Sequence, residues 1–164
     1  MDATLSHISI VVPDLDEAAA RLKKVYGLAI GEVQINASQG VRMAYVTLPN
    51  AQIELMEPLR PDAPVAKFLE RNPAGGIHHF SLAVDDIVKT ANGLRDRGVN
   101  VLGDERTQRN VHGERIAFIH PKDFLGALVE LEEKTATAVV KPKAKKTAKK
   151  TAKKTAKKTA NKTK

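Results

Sequence analysis

The 164-residue chain contains no cysteine. That excludes disulfides, thiolate metal sites and cysteine nucleophiles, so any metal must sit on His, Asp, Glu or water. The composition fits a reducing compartment, and a cytoplasmic protein is expected. Long apolar runs are missing as well. No segment approaches the roughly 18 apolar residues needed to cross a bilayer, so no membrane partner is expected. The first apolar run, "ISIVV", lacks a basic leader and is cut short by Pro13 and Asp14. A secretory signal is therefore not expected.

Acidic residues are absent from one region. Between Lys141 and Lys164 there are twelve lysines and no Asp or Glu. The formal charge of +8 comes from that region, because residues 1–140 carry 15 basic against 19 acidic side chains, a net of −4. Residues 135–164 repeat a Lys-Lys-Thr-Ala unit with almost no bulky apolar side chain. Such a segment cannot bury enough surface to offset its ordering entropy, so a disordered basic tail is expected. Each lysine could neutralise a phosphate, which makes weak, nonspecific nucleic-acid contact a secondary expectation for the tail.

What remains, residues 1–134, reads as one domain that repeats itself. "HISIVVPDLDEAAARL" from His7 matches "HFSLAVDDIVKTANGL" from His79 at an offset of 72 residues. "VRMAYV" from Val41 matches "ERIAFI" from Glu114 at 73, and "QIELME" from Gln52 matches "LVELEE" from Leu128 at 76. Each copy begins with alternating apolar residues (Ile8, Ile10, Val12; Phe80, Leu82, Val84), the mark of a half-buried strand. Helical spacing follows (Leu15, Ala18, Ala19, Leu22; Ile87, Ala91, Leu94). Asp14 and Asp85 or Asp86 are candidate N-caps, and Gly27 and Gly98 stand where each helix should stop. Three strands are then expected in each copy, at about 28–35, 41–48 and 51–57, and about 99–104, 114–120 and 126–132. The fold class is α+β: two βαβββ modules, about 4–60 and 76–133, forming a cupped mixed sheet.

The repeat pairs His7 with His79 and Glu54 with Glu130. A lone histidine at a strand start more often completes a hydrogen bond in the core than binds an ion. Packing, however, does not demand polar residues at both equivalent pairs of positions. Two imidazoles and two carboxylates meeting between the modules would suit a borderline divalent ion. His78 should alternate to the other side of the strand from His79, which leaves it without a metal role.

The segments "LSHISIVVPDL", "IELMEPL", "APVAKFLERN", "GGIHHFSLAVDDI", "HGERIAFIHPKD" and "GALVELEE" occur in this order. They resemble the methylmalonyl-CoA epimerase family of the vicinal oxygen chelate superfamily, over about residues 4–133. The resemblance implies a divalent metal on His7, His79 and Glu130, with Glu54 at a fourth position. Cobalt is the first choice, with zinc, manganese, nickel or iron as alternatives. It further implies a homodimer that interconverts (R)- and (S)-methylmalonyl-CoA by removing and returning the C2 proton through an enolate. Some bacterial relatives carry a glutamate base where this chain has Met43, which cannot do that work. Glu130 is then the first candidate base and Glu54 the second, while Glu57 and a metal-bound water stay open. Lys122 of "HPKD" is the candidate contact for a CoA phosphate or carboxylate. Two other readings are a lactoylglutathione lyase on the same scaffold and a metal-free small-molecule binding module.

Overall fold

The computed structural model describes residues 1–134. The expected disorder and nucleic-acid contact of the tail lie outside the described residues. The first module runs through β1 (Ala3–Val11), α1 (Leu15–Tyr26), β2 (Gln34–Asn36), β3 (Val41–Thr47) and β4 (Gln52–Pro58). A connecting helix, α2 (Pro64–Arg71), leads to β5 (Gly76–Val84), α3 (Ile87–Arg95), β6 (Val101–Leu102), β7 (Ile116–Ile119) and β8 (Leu128–Glu133). The strands form one eight-stranded mixed sheet in the order β2-β3-β4-β1-β5-β8-β7-β6. In each module the first strand pairs in parallel with the last, β1 with β4 and β5 with β8. The modules join where β1 and β5 run antiparallel.

Alternation along the strands decides what lies on each face. Leu15 of α1 packs on Ala44, Val46 and Leu55, with Leu22 against them. Ile87 of α3 packs on Ala117, Ile119, Val129 and Leu131, with Leu94 alongside. Truncating a fully buried leucine such as Leu15 or Leu131 to Ala would cost about 2–5 kcal/mol. Residues offset by one from these, including Met43, Tyr45, Glu54, Met56 and Glu130, line the concave face.

The helix ends follow the expected chemistry. Asp14 accepts from the Glu17 N–H at 2.8 Å, and Asp86, not Asp85, accepts from the Lys89 N–H at 2.9 Å. Gly27 closes α1 in the left-handed region, at φ 66°. Helix α3 stops at Arg95, three residues before Gly98, whose N–H returns to the Arg95 carbonyl at 2.9 Å. A second pair of contacts fastens each helix to its module. Glu57 accepts from the Leu15 N–H at 3.3 Å and from Arg42 at 3.2 Å. Glu133 accepts from the Ile87 N–H at 3.4 Å and from Arg115 Nε at 2.6 Å.

Two expectations need correction. The strand anticipated at 28–35 shrinks to Gln34–Asn36, with Ile30 making only an isolated bridge to Val46. The strand anticipated at 99–104 shrinks to two residues for the same reason: both lie at the sheet's edges, with a neighbour on one side only. Helix α2 had no place in the two-module reading. Pro64 sits in its first turn, and Val65, Ala66, Phe68 and Leu69 face the cluster built on Val11, Val41, Met43 and Met56.

Candidate metal centre and active site

His7 and His79 stand on the two central strands, and Glu54 and Glu130 on the strands that flank them. The ladder places Ser9 opposite both Glu54 and His79, and Ser81 opposite both His7 and Glu130. All four candidate groups are therefore within one or two rungs of the module seam. Each is at least 95% buried. His7 Nε2 lies 3.7 Å from Glu54 Oε2 and 3.7 Å from Glu130 Oε1, and His79 Nε2 lies 3.9 Å from Glu54 Oε2. Neither Nε2 atom has a hydrogen-bond partner, although both are buried. Orphaned buried polar atoms are rare in folded proteins and call for an explanation such as an ion. Two overlapping sets could hold one: His7, Glu54 and His79, or His7, Glu130 and Glu132, each with ligand atoms within 4.8 Å of one another. His7 is common to both sets, which between them take in all four side chains expected from the repeat and add Glu132.

The four expected groups line a cavity of about 330 Å³ that is also lined by apolar side chains, among them Val41, Met43, Met56 and Val65. A second cavity of about 530 Å³ adjoins it and shares His78, His79 and Leu128 with it. Phe68, Arg71 and Asn72 at the end of α2 border this outer space, so the connecting helix contributes to both cavities. The tight turn before β5 needs glycine: a Cβ on Gly75, at φ 80°, would fall 2.4 Å from the Val11 carbonyl oxygen.

Burial dominates the electrostatics. It lowers the basicity of His7, with Glu54 opposing, and holds His79 well below the usual imidazole value, helped by His78 and His7. It raises Glu130 well above the ordinary carboxylate range, and the negative charge of Glu54 and Glu132 adds to this. Glu132 is raised to about 7, again by burial first and then by Glu114. The site thus holds neutral imidazoles and crowded carboxylates, a combination that a divalent cation relieves.

Further residues escaped the sequence reading. The Tyr45 hydroxyl donates to Glu54 Oε1 at 2.7 Å, and its own ionisation is suppressed by burial and by Glu54. The Ser81 hydroxyl donates to Glu130 Oε1 at 2.9 Å. Ser6 donates to Glu132 at 3.2 Å and lies 3.3 Å from His7 Nδ1. The His112 ring lies tilted against Tyr45, with centroids 5.6 Å apart. Glu57 is engaged at the start of α1 and does not line the cavity. Lys122 is exposed in a short 3-10 turn, outside the lining of both cavities, though the preceding Pro121 borders the outer one.

His78 departs from its expected place. The ladder pairs Ser9 with His79 but Ile10 with Ile77, so His78 is an extra residue, a β-bulge. The bulge interrupts the alternation. His78 reaches the same cavity as His79, and their Nδ1 atoms lie 2.9 Å apart.

Comparison with known proteins agrees with this geometry. Residues 6–118 match the Glyoxalase/Bleomycin resistance protein/Dioxygenase superfamily. The chain is 45% identical to an ethylmalonyl-CoA/methylmalonyl-CoA epimerase of Cereibacter sphaeroides, over 81% of this chain and 99% of that one. A crystal structure of methylmalonyl-CoA epimerase from Mycobacterium tuberculosis superposes with a TM-score of 0.74 at 36% identity, covering 80% of this chain and 88% of that one. A methylmalonyl-CoA epimerase in complex with methylmalonyl-CoA and NH4+ gives 0.75 at 36% identity, covering 82% and 96%. No helix among the described residues is long and apolar enough to cross a membrane. By fold, by sequence and by the residues gathered at the seam, this chain belongs to the methylmalonyl-CoA epimerase family of that superfamily.

Proposed function

We propose that the chain is an isomerase that interconverts (R)- and (S)-methylmalonyl-CoA, with His7, His79, Glu130 and Glu54 holding a divalent metal. The observation that carries this reading is the pair of buried, unpartnered imidazole nitrogens facing Glu54 and Glu130. A cation held there, cobalt before zinc, manganese, nickel or iron, supplies Lewis acidity that offsets negative charge on the thioester oxygen. Glu130, loosened from the metal, takes the C2 proton on one face, with the Ser81 hydroxyl fixing its orientation. Glu54, from the other module and held by Tyr45, carries a proton in that state and gives it to C2 on the opposite face, and the reverse epimerisation exchanges the two roles. Met43 and its apolar neighbours exclude water and receive the 2-alkyl substituent. A wall of methionine and valine discriminates weakly between one methylene more or less, so ethylmalonyl-CoA should also react. The CoA arm leaves through the outer cavity past Arg71, and Lys122 is the proposed phosphate contact at its rim. The enzyme is proposed to act as a cytoplasmic homodimer.

The test combines metal analysis with NMR observation of C2 deuterium exchange on methylmalonyl-CoA. Exchange that is lost on chelation and restored by cobalt supports the reading. A metal-loaded protein that exchanges nothing overturns it. Turnover of the glutathione hemithioacetal of methylglyoxal instead would favour a lactoylglutathione lyase. A purified protein that binds no divalent ion would favour a metal-free binding module.

A further inference from the structure

The seam of the two modules carries two bulges. Along β1 the pairing jumps from Leu5–Leu82 to His7–Ser81, leaving Ser6 extra. Along β5 it jumps from Ser9–His79 to Ile10–Ile77, leaving His78 extra. Ser6 and His78 are 72 residues apart, the offset of the repeat. Each therefore immediately precedes a candidate metal histidine, and each meets that histidine at Nδ1. Ser6 Oγ lies 3.3 Å from His7 Nδ1, and His78 Nδ1 lies 2.9 Å from His79 Nδ1.

Two neutral imidazoles meeting nitrogen to nitrogen must place one proton between them, so one donates and the other accepts. If His78 donated, His79 would carry its remaining proton on Nε2, and that nitrogen could not bind an ion. If His79 donates, its Nε2 lone pair faces Glu54 and the centre. The first module shows the same polarity. The Ser6 hydroxyl donates to Glu132 at 3.2 Å, which leaves its oxygen free to accept from His7 Nδ1–H.

We propose that His78 is a positioning residue: it accepts the Nδ1 proton of His79 and so fixes the tautomer that turns Nε2 to the metal. This rests on the metal-site reading above. It gives the two histidine ligands unequal support, a hydroxyl backed by a carboxylate for His7 and a neutral imidazole for His79. Phe68 packs edge-on against His78 at 5.3 Å and braces the ring.

The first test is the metal-free wild-type protein with nitrogen-15-labelled histidine. Long-range nitrogen–proton correlation reads the tautomer of each ring. His79 should carry its proton on Nδ1, and an Nε2–H tautomer would overturn the proposal. The second test is cobalt titration, read by calorimetry and by the visible spectrum of the bound ion. His78→Leu should weaken affinity about 10–100-fold, the usual effect of losing such a partner. His78→Asn places Oδ1 where the imidazole Nδ1 stood, and should stay within about threefold of wild type. Equal affinity in His78→Leu and wild type would sink the assignment. The two readings fail separately. A wild-type protein that binds no cobalt defeats the metal centre, whereas one that binds cobalt with His79 protonated on Nε2 in its metal-free state defeats the role of His78.

Discussion

The two modules place the same carboxylate in the same rung and hold it differently. In the first, Glu54 is held by Tyr45 from the neighbouring strand, while the adjacent Ser9 hydroxyl is buried without a partner. In the second, Phe118 stands where Tyr45 does in the repeat, and the hydrogen bond to Glu130 comes from Ser81, the counterpart of Ser9. Donor and bystander have exchanged places. Glu130 also faces a second carboxylate, Glu132, where the first module has Met56. An approximate twofold scaffold thus holds its two equivalent carboxylates in unlike surroundings.

The sharpest way to break this comparison is to neutralise each carboxylate in turn. Glu130→Gln should lower the C2 exchange rate about 10³-fold, within the range for losing a general base. Glu54→Gln should lower it about 10–100-fold. Equal losses would mean that the modules divide the work evenly. Next come the variants that make the modules alike. Tyr45→Phe removes a hydrogen bond to a carboxylate and should reduce kcat/KM about tenfold, while Phe118→Tyr should change it less than threefold. Steady-state kinetics on both substrate epimers would read the difference.

A third prediction concerns stability without metal. Burial lifts Glu130 above the ordinary carboxylate value of 4.5, so in the window between the two values the folded protein binds more protons than the unfolded chain. Metal-free wild type should therefore lose stability as pH rises through that window. Glu130→Gln should flatten the slope and raise Tm by about 3 °C at neutral pH. Thermal melts in chelator across pH 4–8 would check this, and an unchanged slope would show that Glu130 is not the group responsible. The smallest effects belong to the outer fastenings. Arg115 reaches Glu133 through two nitrogens, while Arg42 divides its two between Glu57 and the exposed Asp16, so Arg115→Ala and Arg42→Ala should each lower Tm by only about 2–4 °C. Both pairs are partly exposed, and both shifts should shrink in high salt.

Much of this was legible in the chain itself. His7, Glu54, His79 and Glu130 stood out because polar residues of the same kind recurred at equivalent positions of the two copies, where packing demands none. The Asp14 and Asp86 caps obey local rules, so local sequence found them. Helix α2 was missed because it belongs to neither repeat, although Pro64 and the spacing of Val65, Phe68 and Leu69 were a fair signal. The bulges left only a faint trace. The doubled polar residues Ser6-His7 and His78-His79 break the alternation between Leu5 and Ile8 and between Ile77 and Phe80, but whether Ser6 or His78 is paired or extra depends on a strand more than seventy residues away. Tyr45, Ser81 and Glu132 were hidden for a related reason, since their partners are set by sheet register.

The two extra residues also bear on how such a molecule could arise. A single insertion in one strand of an antiparallel ladder puts every rung beyond it out of phase by one. Here the insertions lie on opposite strands, so the ladder regains its phase at its far end. A half-length ancestor that already carried the insertion would, on gene duplication, have supplied both at once, with the error of one copy cancelled by that of the other.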